Sequence, residues 1–500
     1  MEPPSNSNGW RWPTLLVASS IGVGTVMATA GALRDVDVFW HTRLGGELLD
    51  GVSIYDVGND WSYGTAANQH WVSSQWLVEI MFSWLHSVGG WNALIAYRSI
   101  TTAMILITLM WAASRPARSR VTAHDPRATN RYWASLITFL LGAFTIVLFS
   151  QERPQQLSFI LLPIVGFWWL RALRYGTVPR WWVLLLLAAV WANCHGLWIM
   201  LPIALGLALL GQLWENGRQD NPALRPIGVG LLASIIGGCI TPIGPLNLLA
   251  PLTFASATSR ISEWESTSFK SPSTLGLTIS ILILILCWAR GRGAPSRGEV
   301  LYGLVIALFG AMAGRNVTPA VLMLAPLVAW RLSLSLRWPK PRTAPPGLVT
   351  VAKPATILVC AAGVVVGGLA VAGSTAIDPA KQPVGLASKI GEREGTTRVL
   401  NGYNVSGLVL WTDRPENSSG NVVVGIDGRA DRYGASYIDQ YLDMEKGLPG
   451  WDNTVIDLRP NVALLPEKDP LIPLLVSRGW KITGTEAKYV LLEPATTPAQ

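Results

Sequence analysis

Residues 275–288 read LGLTISILILILCW, a run with no charged side chain. A helix that is apolar on every face belongs in lipid or in a large protein core, because it has no side to offer water. The chain carries many such runs. They lie near 14–33, 92–113, 133–150, 158–172, 181–194, 197–214, 226–243, 274–289, 299–314, 317–331 and 354–373. Charged residues make up only 14% of the 500 positions and hydrophobic ones 50%, whereas a soluble domain carries roughly 25% charge. Mean hydropathy is +0.35. The fold class expected is an α-helical polytopic membrane protein of about eleven spans.

The basic residues between these runs set an orientation. Arg115, Arg118, Arg120, Arg127 and Arg131 fall in the segment 114–132, and the segments 171–180, 215–225, 290–298 and 331–353 are basic as well. All are even-numbered loops, so the positive-inside rule places them and the N-terminus in the cytoplasm. This distribution accounts for the net charge of +8 as topology-setting loops and argues against a nucleic-acid surface. Ala28-Thr29-Ala30 has the form of a signal-peptidase site, yet Arg11 alone stands before it; an uncleaved first span fits better. Cys194, Cys239, Cys287 and Cys360 sit in or beside apolar runs and lack metal-ligand spacing.

Facing the other way are the loop 34–91, the turns at 151–157, His195 and Arg315, the loop 244–273 and everything after 373. Past 373 the pattern changes to short apolar strands (Val422–Ile426, Val462–Leu465, Tyr489–Leu492) and a helical stretch at 470–478. That is the signature of a small α/β domain. The division expected is a membrane domain over 1–373, containing the first extracytoplasmic loop 34–91, and an extracytoplasmic α/β domain over 374–500.

Reactive side chains gather on that same side. Asp35 and Asp37 stand two residues apart beside His41, directly after the first span. A carboxylate at such a position suits a general base acting on a hydroxyl, its pKa tuned by partial burial; a polar helix end with Trp40 as an interfacial anchor is the plain alternative. Trp76, Leu77, Ile80, Met81, Trp84 and Leu85 share one helical face, opposite Gln75, Glu79, Ser83 and His86. This reads as a helix in the membrane interface or as a packing helix. Arg153, His195 and Arg315 in the later turns are residue types that bind a lipid phosphate, and Glu263 lies in the loop 244–273.

These residues carry a resemblance. Asp35-Val36-Asp37-Val38-Phe39-Trp40-His41 resembles the DxDxWWH opening of a group of bacterial multi-spanning proteins related to the GT-C superfamily of glycosyltransferases, with Phe39 where a second tryptophan is common. Further likenesses follow in order: Trp61-Ser62-Tyr63, Trp71 through Glu79, Arg153-Pro154-Gln155, Trp191-Ala192-Asn193 with His195-Gly196, Glu263-Trp264, Arg315-Asn316, and the closing Asp427-Gly428-Arg429-Ala430-Asp431-Arg432-Tyr433. The resemblance implies a cytoplasmic-membrane enzyme moving a sugar from a polyprenyl-phosphate donor to a glycan, glycolipid or protein acceptor of the cell envelope. Asp37 or Asp35 would be the catalytic base, and His41, Arg153, His195, Glu263 and Arg315 would bind substrate. Some relatives use a divalent metal and others do not, and the sequence does not choose between them. The Asp427/Arg429 pair reads as structural, with contact to acceptor or to a partner protein through the C-terminal domain as the alternative. Two other classes compete. A non-catalytic scaffold of the same ancestry would keep the bundle, and a transporter or flippase would need repeated halves and midplane charges, which the sequence does not display.

Overall fold

The computed structural model describes residues 10–64, 71–115, 128–249, 266–290, 293–335, 345–412 and 420–495. The chain is a multi-pass, mostly helical membrane protein with a small sheet near its C-terminal end. Eight of the described helices are long and apolar enough to cross a membrane, and Trp181–Ala192 and Leu224–Gly238 are shorter apolar ones. Two compact units result: residues 1–31, 95–248 and 262–374 make a helical unit, and 32–94, 249–261 and 375–500 make a mixed unit. The segment 34–91 therefore groups with the tail, a different division from the 373/374 boundary expected from sequence. The reason is where its hydrogen bonds go, as described below.

In the helical unit, the helix Val317–Ser335 is buried along nearly its whole length. It packs against Ala128–Phe149, Gln155–Tyr175 and Leu275–Arg290. Small residues permit the close approach. A Cβ on Gly166 would stand 2.4 Å from the Met323 carbonyl, and one on Gly237 would stand 2.3 Å from that of Leu185. Without a hydrophobic drive between helices in lipid, such contacts are where association energy comes from. Pro346–Ala372, by contrast, is almost entirely exposed along its span and touches Arg11–Thr29, with Gly363 against Val23.

The charges of this unit sit near helix ends in pairs. Glu299, fully buried, accepts from Arg331 Nε at 2.7 Å and from Arg174 Nη1 at 2.9 Å. Ser296 caps the same helix, Arg297–Met312, by accepting from the Glu299 N–H at 3.2 Å, the first half of a capping box. Elsewhere Arg98 pairs with Glu152, both fully buried, and donates to the Gly31 carbonyl at 2.9 Å.

The mixed unit is built on a sheet of β1 (Gly395–Asn401), β2 (Gly420–Val424), β3 (Val462–Pro466), β4 (Trp480–Glu486) and β5 (Tyr489–Pro494), in the order β2-β1-β3-β5-β4. β1 runs parallel to β2 and β3, while β5 is antiparallel to β3 and to β4. The first-loop segment completes it. Residues 61–63 lie along β2, with Val424 N–H donating to Trp61 O at 2.9 Å and Tyr63 N–H to Val424 O at 3.3 Å. The helix Val38–Leu49 packs on Ser406–Thr412, where a Cβ on Gly407 would stand 2.6 Å from the Val36 carbonyl. Arg43 donates to the Leu410 carbonyl.

The amphipathic segment begins at Trp76 and runs to Ser114, broken at Gly89 and Gly90, where φ at Gly90 is +58°. Its buried side is Val78, Glu79, Phe82 and Ser83, while Trp84 and Val88 are exposed. Two members of the polar face, Glu79 and Ser83, thus point inward, because Gly45 leaves room for the first turn. A Cβ there would overlap the Glu79 carbonyl at 1.8 Å.

Candidate functional site

Asp35 and Asp37 stand at the entry to the helix Val38–Leu49 and play different local roles. The Asp35 side chain is buried, and its Oδ1 accepts from the Asp37 N–H at 3.2 Å. This is the two-residue reach typical of an Asx turn. Asp37 is only half-buried. Its Oδ1 accepts from Trp40 Nε1 at 3.1 Å, one helical turn on, so the carboxylate is oriented toward the helix. Of the two aspartates, Asp37 is the more accessible to an incoming hydroxyl.

His41 follows on the same helix, buried, with its ring centroid 3.6 Å from that of Trp40. Its Nδ1 lies 2.9 Å from Glu79 Oε1, on the helix that starts at Trp76. A carboxylate at Nδ1 fixes the tautomer and ring orientation of a histidine. Glu79 is fully buried, and its Oε2 has no hydrogen-bond partner among the described residues. Buried carboxylate oxygens are costly to leave unpaired. Glu79 was not among the sequence candidates. The signals for it were its place on the polar helical face with Gln75, Ser83 and His86 and its position at the end of the Trp71-to-Glu79 motif.

The tail contributes a buried ion pair of its own. Asp427 and Arg429 form a bidentate ion pair, with Nε to Oδ1 at 2.9 Å and Nη2 to Oδ2 at 2.6 Å. Tyr433 donates to Asp427 Oδ2 at 2.7 Å, and Ser62 Oγ lies 2.7 Å from the Tyr433 hydroxyl. Arg429 also donates to the Gly58 carbonyl and sits between the faces of Trp61 and Trp71 at 4.8 and 5.2 Å. Burial works to raise the Asp427 pKa, but the Arg429 charge and the hydrogen bonds hold the carboxyl below its ordinary value. Burial, helped by the Asp427 charge, drives the Tyr433 phenol well above its own. Asp427 and Arg429 thus direct their hydrogen bonds to each other and to Ser62, Tyr433 and Gly58. Arg432 and Trp71 add further ties, to Asn59 at 2.6 Å and to Asp431 at 2.8 Å.

The remaining candidates belong to the helical unit or lie outside the described residues. His195 is buried and caps the short turn Gly196–Ile199, its Nδ1 accepting from Leu197 N–H at 3.2 Å and standing 3.2 Å from Ser158 Oγ. Trp191 Nε1 donates to that same hydroxyl at 2.8 Å. Arg153 precedes the helix Gln155–Tyr175, and its carbonyl accepts from the Tyr97 hydroxyl at 3.2 Å. Arg315 is in the single turn Gly314–Asn316. Both arginines are half-buried. Glu263 lies outside the described residues. Asp35, Asp37 and His41 are thus brought together in the mixed unit, and Arg153, His195 and Arg315 stand in the helical one.

The overall arrangement has a solved counterpart: ArnT from Cupriavidus metallidurans, bound to undecaprenyl phosphate, matches over 99% of both chains with a TM-score of 0.50. The fold is ArnT-like. Identity between the two is 13%, so the likeness is one of fold. No protein-family model and no curated protein sequence matches the chain. Among the described residues, no three His, Cys, Asp or Glu side chains are grouped to hold a metal ion. Asp35 is turned to the backbone, and Asp37 to Trp40.

Proposed function

We propose that the chain is a GT-C-type glycosyltransferase that takes a sugar from a polyprenyl-phosphate donor on the extracytoplasmic face of the cytoplasmic membrane, with Asp37 as general base. The acceptor is a hydroxyl of a cell-envelope glycan, glycolipid or protein. The fold supports this reading, because the solved counterpart holds a polyprenyl phosphate. The observation that carries it is the half-buried Asp37 carboxylate, oriented by Trp40 at 3.1 Å.

In the reaction, the acceptor oxygen attacks the anomeric carbon while its proton passes to Asp37. The bond from that carbon to the phosphate oxygen breaks, and the polyprenyl phosphate leaves with the electron pair. Configuration inverts in this single displacement. A positioned carboxylate contributes about 10²–10⁴-fold to such a step. His41, held by Glu79, is assigned to the sugar. Arg153, His195 and Arg315 of the helical unit remain phosphate-binding candidates on sequence grounds, the arginines by charge and the histidine by hydrogen bonding. Glu263 remains a substrate-binding candidate on sequence grounds.

The test is the glycan and glycolipid profile of cells lacking the protein. Loss of one sugar linkage, restored by the wild-type chain but not by Asp37→Asn at equal expression, is the expected result. An unchanged profile would favour a non-catalytic scaffold instead.

A further inference from the structure

We propose that the Asp-Gly-Arg turn of the tail is a working part of the first-loop site, Gly428 and the Trp40 indole together forming the seat that fixes the Asp37 carboxylate. The inference rests on the reading of Asp37 as the base and adds two positioning residues to it.

Gly428 is a point of close approach between the two segments. A Cβ at this position would lie 2.3 Å from Asp37 Oδ1 and 2.5 Å from Trp40 Nε1. Gly428 is not among the glycines with positive φ, so backbone freedom does not explain the residue. Space does. Any side chain at 428 must displace the carboxylate, the indole or both.

The seat is anchored from both sides. On the tail side, the turn is held by the Asp427–Arg429 ion pair and by the hydrogen bond from Arg429 Nη2 to Ser62 Oγ at 3.1 Å. On the loop side, Trp40 is almost fully buried and lies against His41, which Glu79 holds in turn. Charged and titratable groups on the elements that meet here include Arg34 and Asp35 on the segment of Asp37 itself, the His41–Glu79 pair on the two helices, and the Asp427–Arg429 pair on the tail. The Trp40 N–H donates to Oδ1 and orients it. A hydrogen bond to the charged form favours that form, and a displacement of about 1 Å in a reacting group costs on the order of 10²-fold in rate.

Two variants and one spectroscopic signal test this. In Gly428→Ala, kcat for sugar transfer falls by roughly 10–100-fold with KM for the donor little changed. In Trp40→Phe, the acidic limb of the pH–rate profile moves to higher pH, because the carboxylate has lost its donor. The signal is independent of activity. In protein labelled with 5-fluorotryptophan, the ¹⁹F resonance that disappears in Trp40→Phe titrates with pH in the wild type, stops titrating in Asp37→Asn and is displaced in Gly428→Ala. Retained dispersion of the other tryptophan resonances separates local displacement from misfolding. A Trp40 resonance indifferent to Asp37→Asn and to Gly428→Ala overturns the proposal. So does a Gly428→Ala enzyme with wild-type kcat and pH limb. If Asp37→Asn transfers sugar normally, the reading of Asp37 as base falls, while the resonance still decides whether the seat exists.

Discussion

The two units bury charge in opposite ways. The helical unit keeps its ion pairs near helix ends, Glu299 with Arg331 and Arg174, and Arg98 with Glu152, while the spans between are filled with small and apolar side chains. The mixed unit buries its charge among joined segments: Asp427, Arg429, Glu79 and His41 are all nearly or fully buried, His41 reaching Glu79 38 residues on and Asp427 and Arg429 reaching Ser62 and Gly58 across 365 and 371 residues. A helix crossing a bilayer satisfies its own backbone and needs partners only for packing, so polar residues can retreat to its ends. The mixed unit joins a short loop to a distant tail, and a buried polar network makes that joining specific at the cost of desolvation.

The contrast can be broken most severely at Arg429. In Arg429→Met, Asp427 stays buried without its cation, and losing one partner of a buried pair costs about 3–5 kcal/mol. Hydrogen exchange should then rise across β2 and residues 58–63 while helix 317–335 keeps its protection. Equal loss of protection in both units would mean that the two do not stand independently.

A smaller effect is expected in the helical unit. Glu299→Gln removes the carboxylate from Arg331, but Arg331 keeps the Gly293 carbonyl at 3.2 Å and Arg174 is about a third exposed. The loss is therefore about 1–3 kcal/mol, read as a drop in thermal stability in detergent. A drop as large as that in Arg429→Met would contradict the distinction between end-paired charge and charge buried among joined segments.

The smallest effect sharpens the comparison by pH. In the mixed unit, burial first and the Asp469 charge second push Glu445 up to about 8. A carboxyl with a raised folded pKa favours folding fully below its ordinary 4.5 and loses that contribution as pH rises through 8. Glu445→Gln should raise Tm above pH 8 and leave it unchanged near pH 4. A Tm difference that does not vary with pH would assign the effect to packing instead.

How much of this was legible in the sequence follows from the same contrast. Each apolar segment of the helical unit announces itself, because a span buries every face in lipid or protein and needs no distant partner to be recognised. In the mixed unit, Val422–Ile426, Val462–Leu465 and Tyr489–Leu492 were visible as strands. β1 was not, since Thr396, Thr397 and Arg398 interrupt its apolar side, nor was β4, whose Lys481, Thr483 and Thr485 are exposed at the sheet edge. Asp427 and Arg429 could be read as a pair from their spacing. Their ties to Gly58 and Ser62 could not, because no local period connects positions that far apart. The same holds for Glu79 beneath His41 and for Gly428 against Asp37. In sequence, Asp37 stands ahead of Asp35 only by lying further from the end of the first span, and the Asx turn of one and the indole of the other separate them in the fold.

The most direct measurement is sugar transfer by the purified chain in lipid vesicles, supplied with radiolabelled polyprenyl-phosphate sugars and an extract of envelope acceptors. The wild type should release polyprenyl phosphate and label the acceptor, and Asp37→Asn should do neither while folding normally. Transfer by Asp37→Asn at the wild-type rate would contradict the account at its centre.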